Sequence, residues 1–186
     1  TKLAEDMGVK IEVVPTKWAG IIPALMTGKF DVIISGMGIT PQRNLKVNYS
    51  DPYYYSGLTL MANKELCKGF NPTKLEDFNR PEVVFSARMG VTAVSFIKKY
   101  LPKAQIREFD DMTMAYREVI TGKAHASLND APEPSFQVLN YPDDLYMPLG
   151  TTKLTPNRWV SPCARATRTG STTATIGSCS STPTTG

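Results

Sequence analysis

The segment Val32-Ile33-Ile34-Ser35-Gly36-Met37-Gly38-Ile39-Thr40-Pro41-Gln42-Arg43 carries more structural information than any other in the chain. An apolar run, Val32 to Ile34, ends in a turn of small residues, Ser35 to Gly38. Thr40 is then a helix N-cap, with Pro41 at the first helical position and Arg43 one turn inside. Strand end, tight turn, helix start and guanidinium fall within twelve residues. Backbone N–H groups at a turn and the positive end of a helix attract anions, and Arg adds a planar fork for a carboxylate or phosphate. The same pattern also fits a plain strand-turn-helix with a solvent-facing Arg.

Working outward, Val9 to Val14 alternates and is β-branched, so it reads as a strand. Trp18 to Thr27 has helical spacing of Trp18, Ile21, Ile22 and Leu25, and Gly28 ends it. Strand, helix and a second strand at Val32–Ser35 predict a parallel crossover and an α/β sheet. Leu58 to Ala62 is the next strand, and the polar run after it places a lobe boundary near Ala62.

A second α/β unit follows. Its expected elements are a short helix at Leu75–Phe78, strands at Val83–Ala87, Ile106–Phe109 and Ala124–Leu128, and helices at Ala93–Leu101, Met112–Thr121 and Pro132–Leu139. Ligands of open α/β sheets bind at the carboxyl ends of strands. Ser35–Gly38, Gly90–Thr92 and Asp130 all fall at such ends.

The chain has 186 residues and a net charge of +4, with 41 % hydrophobic residues. The positive charge is local. No acidic residue follows Leu145, whereas Lys153, Arg158, Arg165 and Arg168 do, so residues 1–144 balance at 17 basic and 17 acidic residues. That balance argues against a nucleic-acid partner. Cys67, Cys163 and Cys179 have no metal-ligand spacing, and no metal or other cofactor is expected. Residues 165–186 hold 8 Thr and 4 Ser, a composition too poor in apolar side chains to offset its ordering entropy, so a disordered linker is expected there.

Arg43 and the turn amides in the first unit seek an anion; Asp130 in the second seeks a cation. A zwitterion satisfies both, and an α-amino acid is the commonest small one: Arg43 for its carboxylate, Asp130 for its ammonium. Trp18 fits a pocket wall as well as a core position, the tyrosines Tyr53–Tyr55 fit packing between lobes, and Asp130 also fits a cap for the helix after Ala131-Pro132.

Trp18-Ala19-Gly20-Ile21-Ile22-Pro23-Ala24-Leu25-Met26-Thr27-Gly28-Lys29-Phe30-Asp31, the Ser35–Arg43 loop, Tyr49-Ser50-Asp51-Pro52-Tyr53, Gly90-Val91-Thr92-Ala93 and Gly122–Ala126 with Asn129-Asp130 stand in one order. Together they resemble the bacterial extracellular solute-binding proteins of family 3, the polar amino-acid receptors of ABC transporters. The resemblance covers residues 1–150 and implies a type II periplasmic-binding-protein fold, with two α/β lobes joined by a two-strand hinge. It implies lobes at residues 1–61 and 62–154, the first lacking its opening strand. It also implies a ligand-binding set of Trp18, Ser35, Gly36, Gly38, Arg43, Thr92 and Asp130, with Trp18 stacking on the ligand. The implied partners are an amino acid as small-molecule ligand and an inner-membrane ABC permease, the chain acting as a monomer in the periplasm, or lipid-anchored outside a Gram-positive cell.

The sequence departs from the family at four places. The opening at Thr1-Lys2-Leu3 reads as the inside of a helix, so an earlier strand is expected to be missing. Val91 stands where a hydroxyl residue is common. His125 stands where Asp is frequent, and we expect it exposed and without a role. From residue 155 we expect an aberrant Thr/Ser-rich tail, the product of a frameshift shortly before Trp159, in place of the family's return segment to the first lobe. Two other uses of this fold remain open: the sensor domain of a receptor kinase, and a cyclohexadienyl-dehydratase-like enzyme. An enzyme would need an acid–base pair, and no His or Glu falls near the expected site.

Overall fold

A computed structural model describes residues 5, 6 and 8–164. In chain order the strands are β1 (Val47–Tyr49), β2 (Tyr54–Asn63), β3 (Val84–Arg88), β4 (Gln105–Phe109), β5 (Ala126–Asp130), β6 (Leu145–Tyr146), β7 (Pro156–Trp159) and β8 (Pro162–Ala164). The main sheet runs β4-β3-β5-β2-β6, with β7 also paired to β2, and a second sheet joins β1 to β8. Helices accompany the sheets, giving an α/β protein of two lobes.

The second lobe follows the expected pattern. Parallel β3 pairs with β4 and β5, and helices Thr92–Tyr100 and Met112–Ile120 supply the crossovers. The first buries Ala93, Val94 and Ile97 at helical spacing; the second buries Ala115, Tyr116 and Val119 and is capped by Asp111, whose carboxylate accepts from Thr113 N at 2.6 Å. The first packs into a core centred on Phe78, Phe85, Leu60, Ile97 and Leu128, and the second packs with Met61, Ala124 and Leu145. Two buried serines are satisfied in sequence: Ser86 Oγ donates to Ala115 O, and Ser127 Oγ donates to Ser86 O.

The first lobe departs from expectation. Val9–Val14 forms no strand, and Val9 and Val13 are exposed. A strand exists only where a neighbour takes its N–H and C=O groups, and no ladder reaches this segment among the described residues. Among the described residues Val32–Ser35 makes only one bridge, Val32 to Cys163, and no parallel crossover; the pairing seen in this lobe is antiparallel instead. Trp18–Met26 is helical as expected, a 3₁₀ turn followed by an α-helix. Leu25, Ile33, Met37 and Val47 form a small core beneath it.

Residues 156–164 correct the expectation of an aberrant tail from residue 155. They return to the first lobe. β7 lies antiparallel on the start of β2, with Trp159 opposite Tyr54 and Asn157 opposite Ser56. Beyond it, Val160 N donates to Met37 O, Ile33 N donates to Pro162 O, and β8 pairs with β1. Val160 is fully buried. The expected disordered stretch 165–186 lies outside the described residues. The boundary expected near Ala62 falls within β2, whose pairing to β5 already begins at Leu58.

His125 also differs from expectation. It is half-buried, its ring lies 6.4 Å from Phe70, and its Nδ1 accepts from Val84 N at 3.1 Å. Burial lowers its pKa, and an imidazole that accepts from an amide must keep that lone pair free of a proton. The unfolded chain therefore binds the proton more readily, so stability falls as pH drops below the ordinary histidine value of about 6.5 and toward the folded value. His125 is the chain's single histidine. Its imidazole should titrate below about 6.5 by NMR, and His125→Asn, which keeps an acceptor, should flatten the loss of urea stability between about pH 7 and pH 5. An unaltered slope in that variant would contradict the role.

Candidate ligand site

Thr40 acts as the N-cap read from the sequence: its Oγ1 accepts from Arg43 N at 3.3 Å, with Pro41 at the helix start. This cap aims Arg43 across the gap between lobes. The guanidinium donates to Gly38 O in the first lobe and Gly90 O in the second, both at 2.9 Å. Burial works against its charge, and Asp130 works in its favour. Gly90 O also accepts from Trp18 Nε1 at 3.3 Å, so one carbonyl of the second lobe gathers two donors of the first. An exposed ion pair, Lys17 to Asp110 at 2.8 Å, adds a further bridge of little energetic weight.

Asp130 ends β5 and is 8 % exposed. It caps no helix: the following helix starts at Glu133 without a side-chain cap. Its carboxylate accepts two bonds from Asn157 Nδ2, at 2.9 and 3.0 Å, and one from Trp159 Nε1 at 3.3 Å. Both donors come from β7. They reach it because two glycines leave room. A Cβ on Gly38 would lie 2.2 Å from Asn157 Oδ1, and a Cβ on Gly36 would lie 3.1 Å from the Trp159 ring.

Trp18, Gly36, Gly38, Arg43, Arg88, Val91, Thr92, Asn129 and Asp130 line one cleft. Six of the seven residues expected from the sequence are thus brought together. Ser35 is not among them; its carbonyl accepts from the Tyr53 hydroxyl. The open space is only about 20 Å³, room for about one water, because the protein's own groups fill it. A larger groove of about 550 Å³, lined by Met112, Tyr116, Arg117 and Glu133, lies on the second lobe and touches none of the expected site residues.

Sequence reasoning missed Arg88, Asn129, Asn157 and Trp159. Arg88 and Asn129 flank recognised motifs, so their positions at strand ends were available as a signal. Asn157 and Trp159 depend on the pairing of β7 with β2, for which no local signal existed. Cys67 is a bystander, buried with its thiol pushed up to about 11, so it stays protonated at neutral pH.

The family model of the bacterial extracellular solute-binding proteins, family 3, matches residues 1–159, and the chain belongs to that family. Cyclohexadienyl dehydratase of Pseudomonas aeruginosa is 30 % identical over 143 residues, which are 76 % of this chain and 52 % of that protein. The L-cystine-binding protein TcyJ of Escherichia coli is 28 % identical over 130 residues, 69 % of this chain and 47 % of that one. The chain therefore spans about half the length of the curated relatives it matches. Among solved structures, a binding component of an ABC transporter from Wolinella succinogenes, complexed with lysine, superposes with a TM-score of 0.80 at 34 % identity, covering 90 % of this chain and 70 % of that one. The fold is that of a type II periplasmic amino-acid-binding protein, and the relatives include both binding proteins and an enzyme.

The contact of Gly38 with Asn157 yields a double-mutant test. Gly38→Ala should destabilise the protein by about 1–3 kcal/mol, because the new methyl drives Asn157 off Asp130. In an Asn157→Ala background the same change should have much less effect, measured by urea unfolding of all four proteins. Fully additive effects would show that the two residues are not in contact.

Proposed function

We propose that the chain binds a free α-amino acid between its lobes, as the substrate-binding component of an ABC importer, and hands it to a membrane permease. The observation that carries this reading is the kind of partner held by the two charged groups. Arg43 rests on two neutral carbonyl oxygens, and Asp130 on an amide and an indole N–H. The carbonyls stand where the oxygens of a carboxylate would be held. The N–H groups stand where an ammonium would donate. A zwitterion offers stronger, charge-assisted versions of both sets. Thr92, at the start of the helix Thr92–Tyr100, lines the cleft within reach of the same carboxylate end.

Binding is favoured over catalysis by the chemistry of the lining. Among the described lining residues Asp130 is the one carboxylate, and none is His, Glu, Lys or Cys. Proton transfer at a bound substrate needs an acid and a base, and the described lining residues offer a single candidate. The dehydratase relative keeps the enzymatic reading as the second one, and turnover of a cyclohexadienyl substrate tests it. β2 and β7, crossing between the lobes side by side, supply a two-strand hinge on which the lobes would close around the ligand and strengthen its charge pairs by excluding water. We place the protein's action outside the cytoplasmic membrane, as a monomer.

Arg43→Ala should weaken amino-acid binding by about 100-fold or more, since a desolvated carboxylate without its partner costs about 3 kcal/mol. Isothermal titration with an amino acid that binds the unaltered protein provides the measurement. Undiminished affinity would remove Arg43 from the site.

A further inference from the structure

Arg88 is a second guanidinium in the same cleft. It ends β3, is half-buried, and stacks on Trp18 with its Cζ 4.5 Å from the ring centroid. Arg43 sits by the same ring at 5.7 Å. The ring that the sequence offered to a ligand side chain is therefore already occupied by cations of the protein. Among the described residues nothing accepts a hydrogen bond from the buried Arg88 Nε.

The charges of the cleft do not balance for a neutral amino acid. Among the described lining residues there are two guanidiniums and one carboxylate. A zwitterion would pair Arg43 and Asp130 and leave Arg88 positive and half-buried, with an unmade hydrogen bond, in a cleft that excludes water. Asp111 and Glu133 attract Arg88 from the second lobe, yet neither accepts from its Nε. A buried guanidinium N–H without an acceptor is unfavourable, and removing water strengthens its demand for one.

We infer that Arg88 receives a second acidic group on the ligand, so that the site selects amino acids with an anionic side chain of the aspartate and glutamate type. The inference rests on the amino-acid reading of the site. Such a ligand has a net charge of −1, which cancels the surplus of the cleft. Its distal carboxylate accepts from the planar fork of Arg88 and meets the edge of Trp18. A cationic side chain, such as that of the lysine held by the Wolinella succinogenes protein, would here face two guanidiniums.

Titration calorimetry of the protein and of Arg88→Gln with L-glutamate, L-glutamine and L-lysine tests the inference. The protein should bind L-glutamate at least about 10-fold more tightly than L-glutamine, and L-lysine least, one charge-assisted hydrogen bond being worth about that factor or more. In Arg88→Gln the preference for L-glutamate should fall to within about 3-fold, while L-glutamine binding persists. The selectivity of the unaltered protein decides independently of whether the variant folds. Equal or tighter binding of L-glutamine or L-lysine overturns the inference and leaves the amino-acid reading standing. So does a preference for L-glutamate that survives in Arg88→Gln. If no amino acid of the twenty binds, the underlying reading fails and this inference fails with it.

Discussion

The register of β2 governs both the fold and the site. Its first residues pair with β7, and the stretch from Leu58 to Ala62 pairs with β5. Leu58 lies opposite Asp130 and Ser56 lies opposite Asn157, which brings that carboxylate and that amide to adjacent points of one strand. Side chains of a strand alternate between faces, so a slip of one residue would turn the partners of Asp130 away and swap the two buried faces of β2, setting polar Thr59 where leucines now pack. Ser56, nearly buried, secures the alignment by donating to Ala131 O at 2.7 Å, beside the Ala131 N to Gly57 O bond. The buried run of β2 from Ser56 to Asn63 makes slippage unfavourable.

Two of the three charged groups in the cleft, Arg43 and Asp130, are already partnered by the chain itself. Arg43 and Asp130 each belong to a different lobe, and each has surrogate partners drawn from the chain. Binding on this arrangement is an exchange of partners rather than the filling of a void. The gain is the difference between charge-assisted and neutral hydrogen bonds, reduced by the freeing of Asn157 and Trp159. On the proposed reading such an exchange suits reversible binding, because Arg43 and Asp130 are not left as bare desolvated charges when the site is empty.

Local chemistry made much of this legible in the sequence. The N-cap at Thr40, the helix at Trp18–Met26, and the alternating strands and helices of the second lobe all follow from short-range signals. The misreadings share a cause. Val9–Val14 has strand propensity, but propensity does not supply a neighbour. Pro156–Ala164 has weak propensity, yet it is held because β1, β2 and the Ile33–Met37 segment present open backbone groups to it. His125 was misjudged because its environment comes from Phe70 and Val84, distant in sequence. Arg88 escaped notice because a charged residue at a strand end reads as solvent-facing until the Trp18 ring is placed over it.

The claim on which the functional reading stands is that Arg43 and Asp130 exchange their own-chain partners for the two ends of an amino acid. A crystal structure of the protein grown with a saturating acidic L-amino acid examines it directly. The ligand's α-carboxylate should lie on Arg43 and its ammonium on Asp130, with the Asn157 amide and Trp159 indole withdrawn from that carboxylate. A ligand bound elsewhere, or one seated in the cleft while Asn157 and Trp159 still hold Asp130, would contradict the exchange.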